Sequence, residues 1–318
     1  MPDLAVVIVT WNVRDLVLAA LRSLFADLAA SDLTADVYVV DSASSDGTAD
    51  AVAAAFPQVK LTACSENRGF AAGNNLALRQ MGFGEPPAGD PADLPRAVYL
   101  LNPDTITQPG ATRALFATLF ADQSARDRRV GMVGARLSFG DGSFQHSAFG
   151  FPGLRQLWAE LFPTPGRLIE QGFNGRYPRD LYAGDQPFPV DFVLGATMML
   201  RREVICEVGL LDAGFFMYCE EIDWALRIHR AGWGVRCVPA AHVIHLGGQS
   251  AGQVRPQTVI RLWTSRLRLY RKHYPAWKVF LAERLIAAGM RRKARQAIDE
   301  PAAIREAYET IERLALKR

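Results

Sequence analysis

Cysteine is scarce and scattered: Cys64, Cys206, Cys219 and Cys237 form no C-x-x-C pair and none of the usual zinc spacings. That argues against a disulfide scaffold or a structural zinc module and predicts reduced, buried thiols. Charge of one sign is also lacking. The formal net charge is +3 over 318 residues, so bulk charge speaks against a general nucleic-acid binder. No apolar run approaches the ~18 residues that would suggest a membrane-spanning helix. The opening MPDLAVVIVTWN has an acidic residue where a secretory leader would be basic. The expected location is the cytoplasm, at the inner face of the cell membrane if the basic C-terminal stretch binds lipid.

What is present is a chain that is 49% hydrophobic, enough for a substantial core. Leu4 to Thr10 is a nearly continuous β-branched run, the pattern of a strand buried on both faces, and Asp15 to Leu28 has the apolar spacing of an amphipathic helix. The unit repeats with a strand at Val37 to Val40, a helix at Thr48 to Phe56, a strand at Val59 to Ala63 and a helix at Asn74 to Met81. Such alternation predicts an open α/β sheet whose ligands lie beyond the carboxyl ends of the strands. After the Pro- and Gly-rich stretch 82–95, Val98 to Leu101 reads as a further strand ending in NPDT. Residues 138–189 are irregular apart from a short helix around Leu154 to Leu161, and suit an acceptor-facing region. Further on, Phe192 to Leu200 reads as one strand leading to a helix from Arg202. Glu220 to Ala231 reads as a helix, and Trp233 to Val238 and His242 to His245 as two short extended segments.

Four groups of residues could carry chemistry. Thr10, Asn12, Asp41, Ser44 and Asp46 follow the first two strands, where a mononucleotide would lie; an Asx turn capping the next helix is the plain alternative. Asn67, Arg68, Gly69, Phe70, Gly73 and Asn74 form a small-residue turn running into a helix, suited to a diphosphate, although such turns also arise from packing. Asn102 and Asp104, two residues apart at a strand end, can grip a hard divalent ion, and His245 could complete the set for Mg²⁺ or Mn²⁺. Glu220, Glu221 and Asp223 cluster in the first turn of a helix. The helix dipole favours acids there, and a desolvated member of the cluster could serve as a general base.

The segments VVIVTWN, VVDSASSDGT, NRGFAAGNN, LLNPDT, VLGATMMLRRE, GLLDAGFFMYCEEIDWALRIHRAGW and HVIHLGGQS, in that order, resemble inverting glycosyltransferase family 2 and especially its rhamnosyltransferase-like branch. The resemblance implies a GT-A fold: a Rossmann-like, mostly parallel sheet flanked by helices, here with a helical C-terminal extension. It divides residues 1–250, the transferase domain, into a nucleotide-sugar-binding half (1–105) and an acceptor half (106–250), and leaves 251–318 as a basic amphipathic extension. By resemblance, Thr10, Asn12, Asp41 and Asp46 contact the nucleoside, Asn67, Gly69 and Asn74 line the diphosphate and sugar region, and Gly195 belongs to the donor site. Asp104 matches the last acid of the family's D-x-D, with Asn102 in place of the first. His245 matches the metal-binding His, and Glu221 falls where the family has its catalytic Asp.

The implied reaction moves a sugar from a nucleoside diphosphate to a hydroxyl on a glycan or a polyprenyl-diphosphate-linked acceptor, assisted by Mg²⁺ or Mn²⁺. dTDP-L-rhamnose is the first-choice donor by branch, with UDP-galactofuranose and UDP-N-acetylhexosamine as alternatives. A nucleotidyltransferase would carry a Gly-rich basic loop after its first strand, where this chain has TWNVRD. A non-catalytic nucleotide-sugar binder would have no use for Glu221, Asp104 and His245. In the C-terminal stretch, Arg261, Arg266, Arg268, Lys272, Lys278 and Arg284 alternate with Trp263, Leu267, Tyr270, Trp277 and Phe280, a pattern that fits either an anionic membrane surface or packing against the catalytic domain.

Overall fold

The computed structural model describes residues 2–84, 90–121, 129–170, 172–247 and 255–317. In chain order its elements are β1 (Leu4–Thr10), α1 (Arg14–Ala29), β2 (Ala35–Asp41), α2 (Thr48–Ala55), β3 (Lys60–Ala63), α3 (Gly69–Gln80), β4 (Ala97–Leu101), β5 (Thr105–Thr107), α4 (Ala111–Phe120), β6 (Val130–Ser138), β7 (Phe144–Gln145), β8 (Ala148–Phe149), α5 (Leu154–Leu161) and α6 (Gly166–Glu170). They continue with β9 (Phe188–Val190), β10 (Phe192–Val193), β11 (Thr197–Arg201), α7 (Arg202–Val208), α8 (Glu220–Arg230), β12 (Gly234–His245), α9 (Arg255–His273), α10 (Ala276–Gln296) and α11 (Ala302–Leu316).

The main sheet has the order β3-β2-β1-β4-β11-β6-β12-β5, with β7 paired to β6 and β9 to β12. β1 is sealed on both faces, as its apolar run requires: Leu4, Val6 and Ile8 pack toward α1 and α2, while Ala5 and Val7 pack toward α3. Register then assembles the site. β1 runs parallel to β2 and ends with Thr10 beside Asp41. β4 flanks β1 on its other side and delivers Asn102 to the same edge. Antiparallel pairing of β12 with β5 sets His245 against Thr105, and the Leu246 N–H donates to the Asp104 carbonyl at 2.9 Å.

Three expectations are corrected. The run from Phe192 to Leu200 is two strands: β10 pairs with β8 in a separate two-stranded sheet, and β11 joins the main sheet antiparallel to β4. Between them Leu194, Gly195 and Ala196 line a cavity, and the Ala196 carbonyl accepts from the Asn102 N–H at 3.0 Å. Helix α3 begins at Gly69 rather than Asn74, because the Asn67 side chain accepts from the Gly69 N–H at 2.9 Å and starts the turn there. The two segments expected at 233–245 are one strand, β12, with an irregularity between Val238 and His242. The helix expected at Leu154 to Leu161 is α5. Cys219 and Cys237 are buried, Cys64 and Cys206 half-buried, and all four are free. Of the stretches read above, residues 85–89 and the end of HVIHLGGQS (248–250), with the 250/251 domain boundary, lie outside the described residues.

The C-terminal helices build their own core. Trp263, Leu267 and Tyr270 of α9 pack with Ile286 and Met290 of α10, Ile311 of α11 and Leu157 and Leu161 of α5. Arg266 pairs with Glu160, Arg268 with Asp212 and Arg291 with Glu312, so many of the basic residues are committed within the molecule. Among the described residues no helix is long and apolar enough to cross a membrane.

Candidate active site

A cavity of about 270 Å³ opens at the carboxyl edge of β1, β2 and β4. Thr10, Ser42, Asn67, Gly69 and Phe70 form one wall, Asn102, Asp104 and His245 another, and Gly195, Glu220 and Glu221 a third. Thr258 and Arg261 of α9 complete it. The hydroxyls of Thr10 and Ser42 are buried and have no hydrogen-bond partner among the described residues. Two open buried hydroxyls at strand ends leave hydrogen-bonding capacity that a polar ligand in the cavity could use.

The second wall suits a divalent cation. Asp104 Oδ1 lies 3.4 Å from His245 Nε2, and both residues are buried. Two ligands each about 2.1 Å from a shared ion stand roughly 3–3.5 Å apart, so the pair fits one ion without rearrangement. Asn102 Nδ2 lies 3.4 Å from the same His245 nitrogen, and turning its amide over would present an oxygen instead. On the far side of the ring, His245 Nδ1 is 3.2 Å from Gln145 Oε1. With the Gln145 amide in this orientation its oxygen accepts from Nδ1, the tautomer that keeps the Nε2 lone pair for an ion. Gln145 has no local sequence signal; only the pairing of β7 with β6 brings it here.

The third wall is built under strain. Tyr218 and Cys219 hold φ of 70° and 66°, left-handed values that cost a non-glycine residue energy, and they turn the chain so that α8 begins with Glu220 and Glu221 facing the cavity. The preceding loop is clamped from outside. Asn75 of α3 donates to the Leu211 carbonyl at 2.7 Å and accepts from its N–H at 3.1 Å. The Phe70 N–H donates to the Phe216 carbonyl, Ser265 of α9 donates to the Met217 carbonyl, and Arg261 stacks on the Phe216 ring 4.2 Å from its centroid. Burial raises the Glu221 carboxyl to about 7 against the pull of backbone N–H groups and Arg266. Burial and the neighbouring Glu221 raise Glu220 well above the usual range.

Asp223 and Asp191, the other carboxylates nearby, are occupied. Asp223 is fully buried, and burial alone would raise it, but contacts to His273 and Lys272 at 2.6 Å and Arg227 at 2.9 Å hold it below the usual range. Asp191 accepts from the Phe151 N–H at 2.7 Å, and neither residue lines the cavity. Glu220 and Glu221 are left as base candidates, both lining the cavity.

The structure brings Thr10, Asn67, Gly69, Phe70, Asn102, Asp104, Gly195, Glu221 and His245 to one cavity. It does not bring Asn12, Asp41, Ser44, Asp46, Arg68, Gly73 or Asn74 to the wall. Asn12, Asp41 and Ser44 brace one another, Asp41 Oδ2 accepting from the Ser44 N–H and Ser44 Oγ from the Asn12 N–H, while Asp46 accepts from the N–H groups of Arg14 and Thr48. Arg68 reaches outward to Glu66 at 3.7 Å. Gly73 serves packing, since a Cβ there would meet Val9 Cγ1 at 2.8 Å, and Asn74 donates back to the Phe70 carbonyl of its own helix. Trp11, Ser42, Tyr218, Thr258 and Arg261 line the cavity without having been singled out as site residues from the sequence.

Comparison with known proteins agrees with this architecture. A mannosyltransferase from Pyrobaculum calidifontis, solved with GDP-Man and Mn²⁺, superposes with a TM-score of 0.53 over 99% of this chain and 87% of its own, at 18% identity. GalNAc-T7, solved with UDP, GalNAc and Mn²⁺, gives the same TM-score at 16% identity over 77% of this chain, which spans only 43% of that protein. These likenesses establish the GT-A fold. By sequence, the N-acetylglucosaminyl-diphospho-decaprenol L-rhamnosyltransferase of Mycobacterium tuberculosis is 30% identical over 226 residues, 70% of each chain. The rhamnosyltransferase WbbL of Escherichia coli is 45% identical over 56 residues, 18% of this chain and 21% of its own. Residues 2–272 match the family described as "Glycosyltransferase like family 2". With that match and the cavity at the carboxyl edge of its sheet, the chain belongs to glycosyltransferase family 2.

Proposed function

We propose that the protein transfers a rhamnosyl group from dTDP-L-rhamnose to a hydroxyl of a lipid-diphosphate-linked sugar, inverting the anomeric centre. One observation carries this reading: Asp104 and His245, spaced for a single divalent ion, share a cavity with Glu221, whose carboxyl burial pushes up to about 7. The unpartnered Thr10 and Ser42 hydroxyls support placing the nucleoside diphosphate beside them. The choice of sugar and acceptor rests on the name of the M. tuberculosis relative.

Asp104 and His245, with Asn102 beside them, would hold Mg²⁺ or Mn²⁺, which supplies positive charge for the departing diphosphate. Glu221, ionised above about pH 7, takes the proton of the acceptor hydroxyl. The hydroxyl oxygen bonds to the anomeric carbon while the bond to the diphosphate breaks and its electron pair leaves with the dTDP. One displacement needs no covalent intermediate, and no protein nucleophile is assigned.

The acceptor's lipid calls for a membrane-facing surface. Trp277, Phe280 and Leu281 at the start of α10 are 63%, 47% and 42% exposed, with Arg284 over the Phe280 ring at 5.0 Å. Aromatic side chains fringed by cations suit the headgroup region of an anionic bilayer. A panel of nucleotide sugars assayed for acceptor-dependent nucleoside diphosphate release tests the function. Turnover is expected with dTDP-rhamnose and a polyprenyl-diphospho-N-acetylglucosamine, and turnover with only a UDP-sugar would overturn the donor assignment.

A further inference from the structure

The start of α8 supplies two adjacent carboxyls, while the displacement uses one base. Glu220 is the more deeply buried, 5% exposed, and lines the same cavity as Glu221. Its Oε2 is buried and has no hydrogen-bond partner among the described residues. Several charged and titratable groups lie around it among the described residues. Tyr218, Cys219 and Glu221 share its segment. From α9, Arg261 is stacked on Phe216, and Arg266 is paired with Glu160 of α5. Asp104 and His245 line the same cavity. Neither guanidinium makes an ion pair with Glu220.

A carboxylate withdrawn from water with no counterion reverts to its neutral form, and two neighbouring carboxyls resist ionising together. Glu220 is the more deeply buried of the two and its Oε2 has no partner among the described residues, so of the pair it is Glu221 that gives up its proton. Function points the same way. The cavity must admit a diphosphate beside Asp104 and Glu221, and a third negative charge would oppose it. A neutral carboxyl instead offers one donor and one acceptor, the complement of a sugar hydroxyl.

Building on the sugar-transfer reading, we propose that Glu220 keeps its proton through the catalytic cycle and binds the transferred sugar, its O–H donating to one hydroxyl oxygen and its carbonyl accepting from a neighbouring hydroxyl. Glu220 is thus a specificity-determining ligand of the sugar, and Glu221 alone is the base.

Isotope-edited infrared spectroscopy of the full chain, labelled at glutamate and free of ligand, reads the proton directly. At about pH 8, above the range in which Glu221 ionises, the wild type should show a protonated-carboxyl C=O band that persists in Glu221→Gln and disappears in Glu220→Gln. Absence of the band in the wild type, or its survival in Glu220→Gln, overturns the proposal. This arm does not depend on turnover, so its failure is separate from failure of the transferase reading. In the kinetic arm, Glu220→Gln keeps a donor and an acceptor, so its kcat/KM should exceed that of Glu220→Leu by about 10-fold or more. The acid limb of its pH profile should stay in place. A limb displaced to lower pH in Glu220→Gln would reveal an ionised Glu220 and contradict the assignment.

Discussion

Gln145 shows how much of the proposed metal site depends on a side chain that need not touch the ion. Its amide oxygen fixes the His245 tautomer, and removing such a partner typically weakens metal binding by about 10- to 100-fold. Gln145→Leu should therefore reduce affinity for Mn²⁺, measured by titration calorimetry with nucleoside diphosphate present, by that factor while the fold stays intact. Unchanged affinity would show that the ion does not use His245 Nε2. Asp104, Asn102 and His245 were legible in the sequence because each sits beside a strand end. Gln145 was not, because it lies in a stretch without periodicity and its relevance arises from strand pairing 100 residues away from its partner.

Among elements, the contact between α3 and the loop before α8 joins two walls of the cavity. Gly69 has φ of +75°, and a Cβ there would sit 2.2 Å from the Phe216 carbonyl oxygen. Its role is close approach to the loop before α8 as well as a place at the start of α3. Gly69→Ala adds that clash to left-handed strain, so it should lower stability by about 2 kcal/mol or more and depress kcat, as denaturant titration and steady-state assay would show. A variant with wild-type stability and turnover would mean that the loop is not held there. The β-α alternation of the first 80 residues was readable because β1 is apolar throughout and α1 is amphipathic. The break at Leu194 to Ala196 was not readable, since Phe192 to Leu200 reads as one apolar run and β10 leaves the main sheet only because β8 is there to pair with it. Arg261 looked like one basic residue among many on an amphipathic helix, and only the packing of α9 against α5 and α10 turns it toward the cavity.

At the scale of the molecule, the first C-terminal helix is joined to the cavity: α9 supplies Thr258 and Arg261 to it and ties down α8 through the contacts of Lys272 and His273 with Asp223. The membrane surface proposed above is accordingly narrow, the first turns of α10 rather than the whole basic stretch. In flotation with anionic vesicles at low salt, the intact protein should bind, and the double substitution Trp277→Ala, Phe280→Ala should release it without loss of folding. Failure of the intact protein to float would remove lipid contact from the account.

The central claim is that Glu221 is the base of a sugar transfer carried out in this cavity, and Glu221→Gln tests it most directly because it keeps the side chain's size while removing the proton acceptor. A carboxyl whose folded pKa is raised loses stability as pH climbs from the ordinary carboxyl range through about 7, so this variant should melt no lower than the wild type near neutral pH. The wild-type kcat should fall on the acid side with a midpoint near 7. In the variant, nucleotide-sugar binding should persist while transfer falls by on the order of 10²–10⁴-fold and that acid limb vanishes. Wild-type turnover by Glu221→Gln at saturating donor and acceptor would contradict the account.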